Sequence, residues 1–170
     1  VPPDTLRNSF VPPASGGTFF WEEVMKSRLL ASAAERTFIL VIEPEEEAFD
    51  AIRRFARTEN INAASVTAIG AFSIATLAFF DLSSREYKEI PVTEQSEVLS
   101  LLGDITLDEN DTPNPHLHVV LGFADGSTKG GHFLKGVVRP TLEVVIRETP
   151  AELRRRYISE FGIALIDPAK

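Results

Sequence analysis

The sequence contains no cysteine, which excludes disulfides, thiolate zinc sites and cysteine nucleophiles together and suits a reducing cytoplasm. It has no unbroken apolar run of the length, about eighteen residues, that a membrane-spanning helix needs. No positively charged segment followed by an apolar one opens the chain, so no intact signal peptide is expected and cytoplasmic placement is. Basic charge is also short. Seventeen Lys and Arg stand against 25 Asp and Glu, a net charge of −8, which disfavours nucleic acid as a partner because phosphate binding depends on clustered cations. Arg154-Arg155-Arg156 is the local exception. Tryptophan occurs once and tyrosine twice, so the twelve phenylalanines must supply most of the aromatic core.

What is present fits one globular domain: 170 residues, 44% hydrophobic and 25% charged. Residues 1–24 carry Pro2, Pro3, Pro12, Pro13, Gly16 and Gly17 and read as a tail, docked by Phe19, Phe20 and Trp21, ahead of a domain over residues 25–170. Arg36–Ile42 is rich in β-branched and aromatic residues and reads as a strand. Glu43-Pro44 should open a helix whose apolar stripe is Ala48, Phe49, Ile52, Phe55 and Ala56, ending near Asn60. Strands are then expected over residues 61–69, 74–80, 86–90, 97–107, 116–123, 128–134 and 137–147, separated by turn residues such as Ser83-Ser84, Asn110-Asp111 and Asp125-Gly126. Thr149-Pro150-Ala151-Glu152 looks like a helix start, predicting a short helix over 150–157. Connections too short for crossovers imply a largely antiparallel sheet, and with the two expected helices a single α+β domain.

The only three histidines are His116, His118 and His132. His116-Leu117-His118 alternates along a strand, so both imidazoles leave one face, roughly 7 Å apart at Cα. The position of His132 depends on the turn before it. A two-residue Asp125-Gly126 loop sets His118 opposite Phe133 and puts His132 on the wrong face. A three-residue loop, Ala124-Asp125-Gly126, sets His118 opposite His132, and Gly126 suits the left-handed position that such a loop requires. Facing side chains then lie about 5 Å apart at Cβ, within reach of one ion. Three neutral imidazoles suit a divalent metal, zinc first, with iron, cobalt, nickel and copper compatible. Three protein ligands leave a position for water or a small-molecule ligand. Gly130-Gly131 removes two side chains beside His132 and allows a close approach to the backbone. The plainer alternative is three histidines making ordinary hydrogen bonds on a half-exposed sheet.

No serine lies in a nucleophile-elbow pattern, and Gly70-Ala71-Phe72 lacks the spacing and lysine of a phosphate loop. Glu97 and Glu143 interrupt apolar strands. Each is either an outward-facing strand residue or a buried carboxylate supporting the histidines, as a ligand or general base.

The runs Gly70-Ala-Phe-Ser-Ile-Ala-Thr-Leu77, Phe80-Asp81, Glu97-Val-Leu-Ser-Leu-Leu-Gly103, His116-Leu-His118, Gly130-Gly-His132 and Thr141-Leu-Glu143-Val-Val together resemble the PPC ("plants and prokaryotes conserved") domain family, also called DUF296. The resemblance runs from about Met25 to Asp167. It implies an α+β fold with a mainly antiparallel sheet flanked by helices, a homotrimer, and a metal held by the equivalents of His116, His118 and His132 in some prokaryotic members. Plant members join the domain to AT-hooks and use it for protein contacts. Here there is no Arg-Gly-Arg-Pro core of an AT-hook, and of the plant contact motif Gly-Arg-Phe-Glu-Ile-Leu only Glu97 and Leu99 match within residues 94–99. The leading expectation is a homotrimeric metal-binding protein that binds a small ligand or activates water. An interaction module in a regulatory assembly is the second, and a DNA-associated protein the third.

Overall fold

The structure, a computed structural model, describes residues 26–32 and 35–167. The tail and its aromatics Phe19, Phe20 and Trp21 lie outside them. In chain order the elements are β1 (Lys26–Ser32), β2 (Arg36–Ile42), α1 (Ala48–Thr58), β3 (Ala63–Asp81), β4 (Glu86–Val92), β5 (Ser96–Leu107), β6 (Pro113–Gly122), β7 (Thr128–Glu148), β8 (Arg154–Ile158) and β9 (Ile163–Asp167). No helix among them is long and apolar enough to cross a membrane.

The expected antiparallel sheet is present, but helices do not flank it: α1 is the one α-helix among the described residues. It also starts later than Glu43-Pro44 suggests. Glu45 takes a left-handed φ of 69° and its N–H donates to Val138 O, while Val138 N–H donates back to Glu46 O. Residues 43–46 are thus tied to β7 as a turn. Glu47 caps the helix instead, its carboxylate accepting from the N–H groups of Phe49 and Asp50 and from Gly136 on β7. The end falls as expected, with Asn60 left-handed at φ 54° and Ile61 N–H closing onto Ala56 O. The buried stripe Ala48, Ala51, Ile52, Phe55 and Ala56 packs onto the sheet. Ile52 and Phe55 each contribute roughly 1.5–3 kcal/mol of apolar burial.

Two pairs of expected strands merge into long ones. β3 runs unbroken through Gly70-Ala71-Phe72, and β7 joins 128–134 to 137–147. Both bend, because their shared ladder shifts register between Gly70 and Phe72 and again near Ile74. The bends let β6 pair with β5 on one side and with the first part of β7 on the other, so β3, β5, β6 and β7 close into a ring. Phe72, Leu77, Leu101, Leu117, Phe133 and Leu142 fill the core, Phe72 and Phe133 stacking at 5.4 Å between ring centres.

The helix expected over 150–157 is a strand. Arg154–Ile158 and Ile163–Asp167 pair as an antiparallel hairpin, turned at Gly162 with φ 75°. Leu107 N–H donates to Leu153 O and Leu107 pairs with Arg154, fixing the hairpin to the end of β5. An eight-residue helix is marginal without a packed face. Ladder hydrogen bonds between Tyr157, Ile158, Ile163 and their neighbours outweigh the Thr149-Pro150 start signal.

Candidate metal centre

The turn after β6 decides the site. Phe123 N–H donates to Ser127 O, Gly126 N–H to Phe123 O, and Gly126 has φ 82°. This is the three-residue loop with a left-handed glycine, and it pairs His118 with His132. The three imidazoles converge. One ligand nitrogen from each of His116, His118 and His132 lies within 4.8 Å of the other two, and ring centres are 4.9–5.2 Å apart. A tetrahedral zinc with bonds of about 2.0–2.1 Å would hold such nitrogens about 3.3 Å apart. Rotation about the soft imidazole torsion covers a difference of that size.

Electrostatics favour the ligating form. Burial pushes the His132 pKa down to about 4, helped by repulsion from His116, His118 and Arg155. His118 is lowered too, by burial first and His116 second. Both rings are therefore neutral near pH 7, with lone pairs available to a cation. A donor set of three close imidazoles with a half-exposed approach fits a divalent ion.

Gly131 is needed for a specific contact. A Cβ there would sit 2.6 Å from the Ala78 carbonyl oxygen, so its absence lets β7 approach β3 where Ala78 pairs with His132. What approaches the backbone at Gly131 is thus the neighbouring strand. At Gly130 a Cβ would meet Val119 O at 3.2 Å, a milder crowding against β6.

Glu97 and Glu143 do not reach the histidines. Glu97 is exposed opposite Gly122, well beyond His118 along the ladder, and Glu143 is exposed between Val41 and Ile69 in the other half of β7. The supporting carboxylate is Asp104. It pairs with His116 across β5 and β6, its Oδ2 3.9 Å from His116 Nδ1. The 108–112 connection carried the signal: Leu107 pairs with Pro113, and counting back along that register sets Asp104 against His116. Arg155, on the hairpin expected to be helical, was not legible as a site residue. Its Nη2 donates to both Asp104 oxygens at 2.9 Å and lies 3.1 Å from His116 Nδ1. Burial alone would raise the Asp104 carboxyl, but His116 and Arg155 more than reverse that and hold it below the usual range. With Nδ1 facing Asp104 and Arg155, Nε2 is the His116 nitrogen left for an ion.

The site opens into a cleft of about 720 Å³ walled by Phe79, Phe80 and Tyr87 on one side and by Tyr157 and Leu165 of the hairpin on the other. Tyr87 packs against His132 with ring centres 5.0 Å apart. His116, His118 and His132 would hold a divalent ion with one position open, and such an ion would supply Lewis acidity there. The residues around it orient the imidazoles and restrict access.

Several solved structures share this fold. A plant- and prokaryote-conserved protein from Pyrococcus horikoshii is 30% identical with a TM-score of 0.73, covering 79% of this chain and 93% of its own. The metal-containing protein AF0104 from Archaeoglobus fulgidus is 27% identical with a TM-score of 0.72, covering 84% and 97%. A protein from Bacteroides thetaiotaomicron provisionally designated DNA-binding is 26% identical with a TM-score of 0.77, covering 85% and 97%. Among curated proteins, the bifunctional protein GlmU of Synechococcus sp. (strain JA-3-3Ab) is 30% identical over 122 residues, 71% of this chain but 18% of that protein. Residues 30–150 match the family profile described as the Plants and Prokaryotes Conserved (PCC) domain, and the chain belongs to that family.

Proposed function

We propose that the protein is a homotrimer in which His116, His118 and His132 hold a divalent ion, zinc first, and present it to a small ligand or to water. The convergence of the three imidazoles, with ligand nitrogens within 4.8 Å, carries this reading. The metal-containing neighbour from Archaeoglobus fulgidus supports it. The trimer draws support from the family resemblance and from the sheet face opposite α1, where Ile69, Leu99 and Leu102 are each at least half exposed. Metal analysis of tag-free protein, after chelation and reconstitution, tests the ion: about one per chain is expected, and none after reconstitution would overturn the reading.

The designation of the Bacteroides neighbour gives DNA association a place as a second reading. The arginine run argues against it, since Arg154, Arg155 and Arg156 face Asp111, Asp104 and Asp167 respectively. With a net charge of −8, DNA binding should be weak and non-specific at physiological salt. Submicromolar, sequence-selective binding in a filter or polarisation assay would reverse the ranking.

A further inference from the structure

The chain carries 25 carboxylate side chains, yet among the described residues lining the cleft at the histidines none is Asp or Glu. The charged or ionisable nitrogen groups lining it are His116, His118, His132 and Arg155. In a protein of net charge −8, the cleft wall thus presents nitrogen groups and no carboxylate. Arg155 is held ready there. Its side chain is 15% exposed and anchored by Asp104, and Nη1 gives one hydrogen to Ala164 O at 3.2 Å, leaving its second for a ligand. The remaining walls are mostly apolar and largely aromatic: Phe79, Phe80, Tyr87, Tyr157 and Leu165.

Arg155, Tyr157 and Leu165 stand on β8 and β9, beyond the residues 30–150 that match the family profile. The guanidinium and the Tyr157 and Leu165 side of the apolar wall therefore come from this chain's C-terminal hairpin rather than from the matched segment. We infer that the hairpin makes the histidine site selective for a small aromatic carboxylate, its anionic head facing the imidazoles and Arg155 and its ring lying between the hairpin and the β3–β4 aromatics. Charge and hydrogen bonding decide the head, because an anion meets four nitrogen-bearing side chains at the cleft wall, with the Asp104 carboxylate set behind Arg155 and outside the lining. The walls decide the body, because flat rings stack favourably on Phe and Tyr faces. A volume of about 720 Å³ holds such a ligand with room to spare.

This inference rests on the metal-binding reading, and the test separates the two. Full-length protein is reconstituted with zinc, its zinc content measured, and benzoate, benzamide and acetate are titrated by calorimetry. Benzoate should bind at least tenfold more tightly than neutral benzamide and at least tenfold more tightly than acetate, which lacks the ring. Arg155→Gln should weaken benzoate tenfold or more, and Tyr157→Ala should weaken benzoate while leaving acetate unchanged. Zinc bound by the wild type without preference for benzoate overturns this inference alone. Failure of the wild type to hold zinc overturns both readings. If Arg155→Gln also sheds zinc, the wild-type selectivity and Tyr157→Ala decide the outcome.

Discussion

A ring of three imidazoles binds an ion well only if each ring is neutral and held in the right tautomer, and Asp104 serves the second need at His116. Its Oδ2 lies 3.9 Å from Nδ1, beyond a direct hydrogen bond but near enough to favour the ring proton on that nitrogen and leave Nε2 for the ion. Carboxylate partners of ligating histidines are commonly worth ten- to a hundred-fold in metal affinity. Asp104→Asn should therefore weaken zinc binding by about that factor in competition with a chromogenic chelator, and unchanged affinity would remove Asp104 from the site. Neutrality has its own signature in metal-free protein. His132 titrates near 4 when folded but near 6.5 when unfolded, so between those values the unfolded chain binds the extra proton. Its contribution to stability is complete above pH 6.5 and is lost as the pH falls towards 4. At about 1.4 kcal/mol per pKa unit the full shift corresponds to about 3.5 kcal/mol, and solvent screening of the partly exposed ring brings the loss to roughly 2 kcal/mol. Urea unfolding of wild type and His132→Gln across this window should show the wild type losing more stability; parallel profiles would contradict the assignment.

At the scale of elements, the hairpin β8–β9 is attached differently from the rest. β3 and β7 share a long ladder, whereas the hairpin joins β5 through the pairing of Leu107 with Arg154 and through ion pairs from Arg154 and Arg155. Its amides should exchange with solvent from a lower-energy opening than those of Leu142–Ile146. Equal protection by hydrogen-exchange mass spectrometry would show instead that the hairpin is part of the core. The same contrast explains what the sequence could reveal. The β2 pattern, the α1 stripe and the His118–His132 register follow from local periodicity and one turn, and all are legible. Bends within β3 and β7 are not, because Gly70-Ala71-Phe72 reads equally well as a break between two strands. The hairpin is not legible, because Thr149-Pro150 is a good local helix start and only the tertiary pairing with Leu107 and β9 overrides it. Arg155 was lost with it, while Asp104 was recoverable from the 108–112 turn.

For the whole molecule, the face opposite α1 continues from His118 to Val120 along β6 and across the ladder to Leu102, so the histidines border an apolar surface. A trimer closing on that surface should run as three chains in light scattering across a wide concentration range, and a persistent monomer would contradict it. The fold should not depend on an ion, because its core is Phe72, Leu77, Phe133 and their neighbours rather than the site. His118 stands opposite His132 and in line with His116, so its loss leaves two diagonal imidazoles that should hold an ion far more weakly. Metal content measured together with circular dichroism on wild type and His118→Ala is the most direct test. About one ion per wild-type chain is predicted, with less than a tenth of that in the variant and unchanged spectra. Equal metal in both proteins would contradict the three-histidine centre.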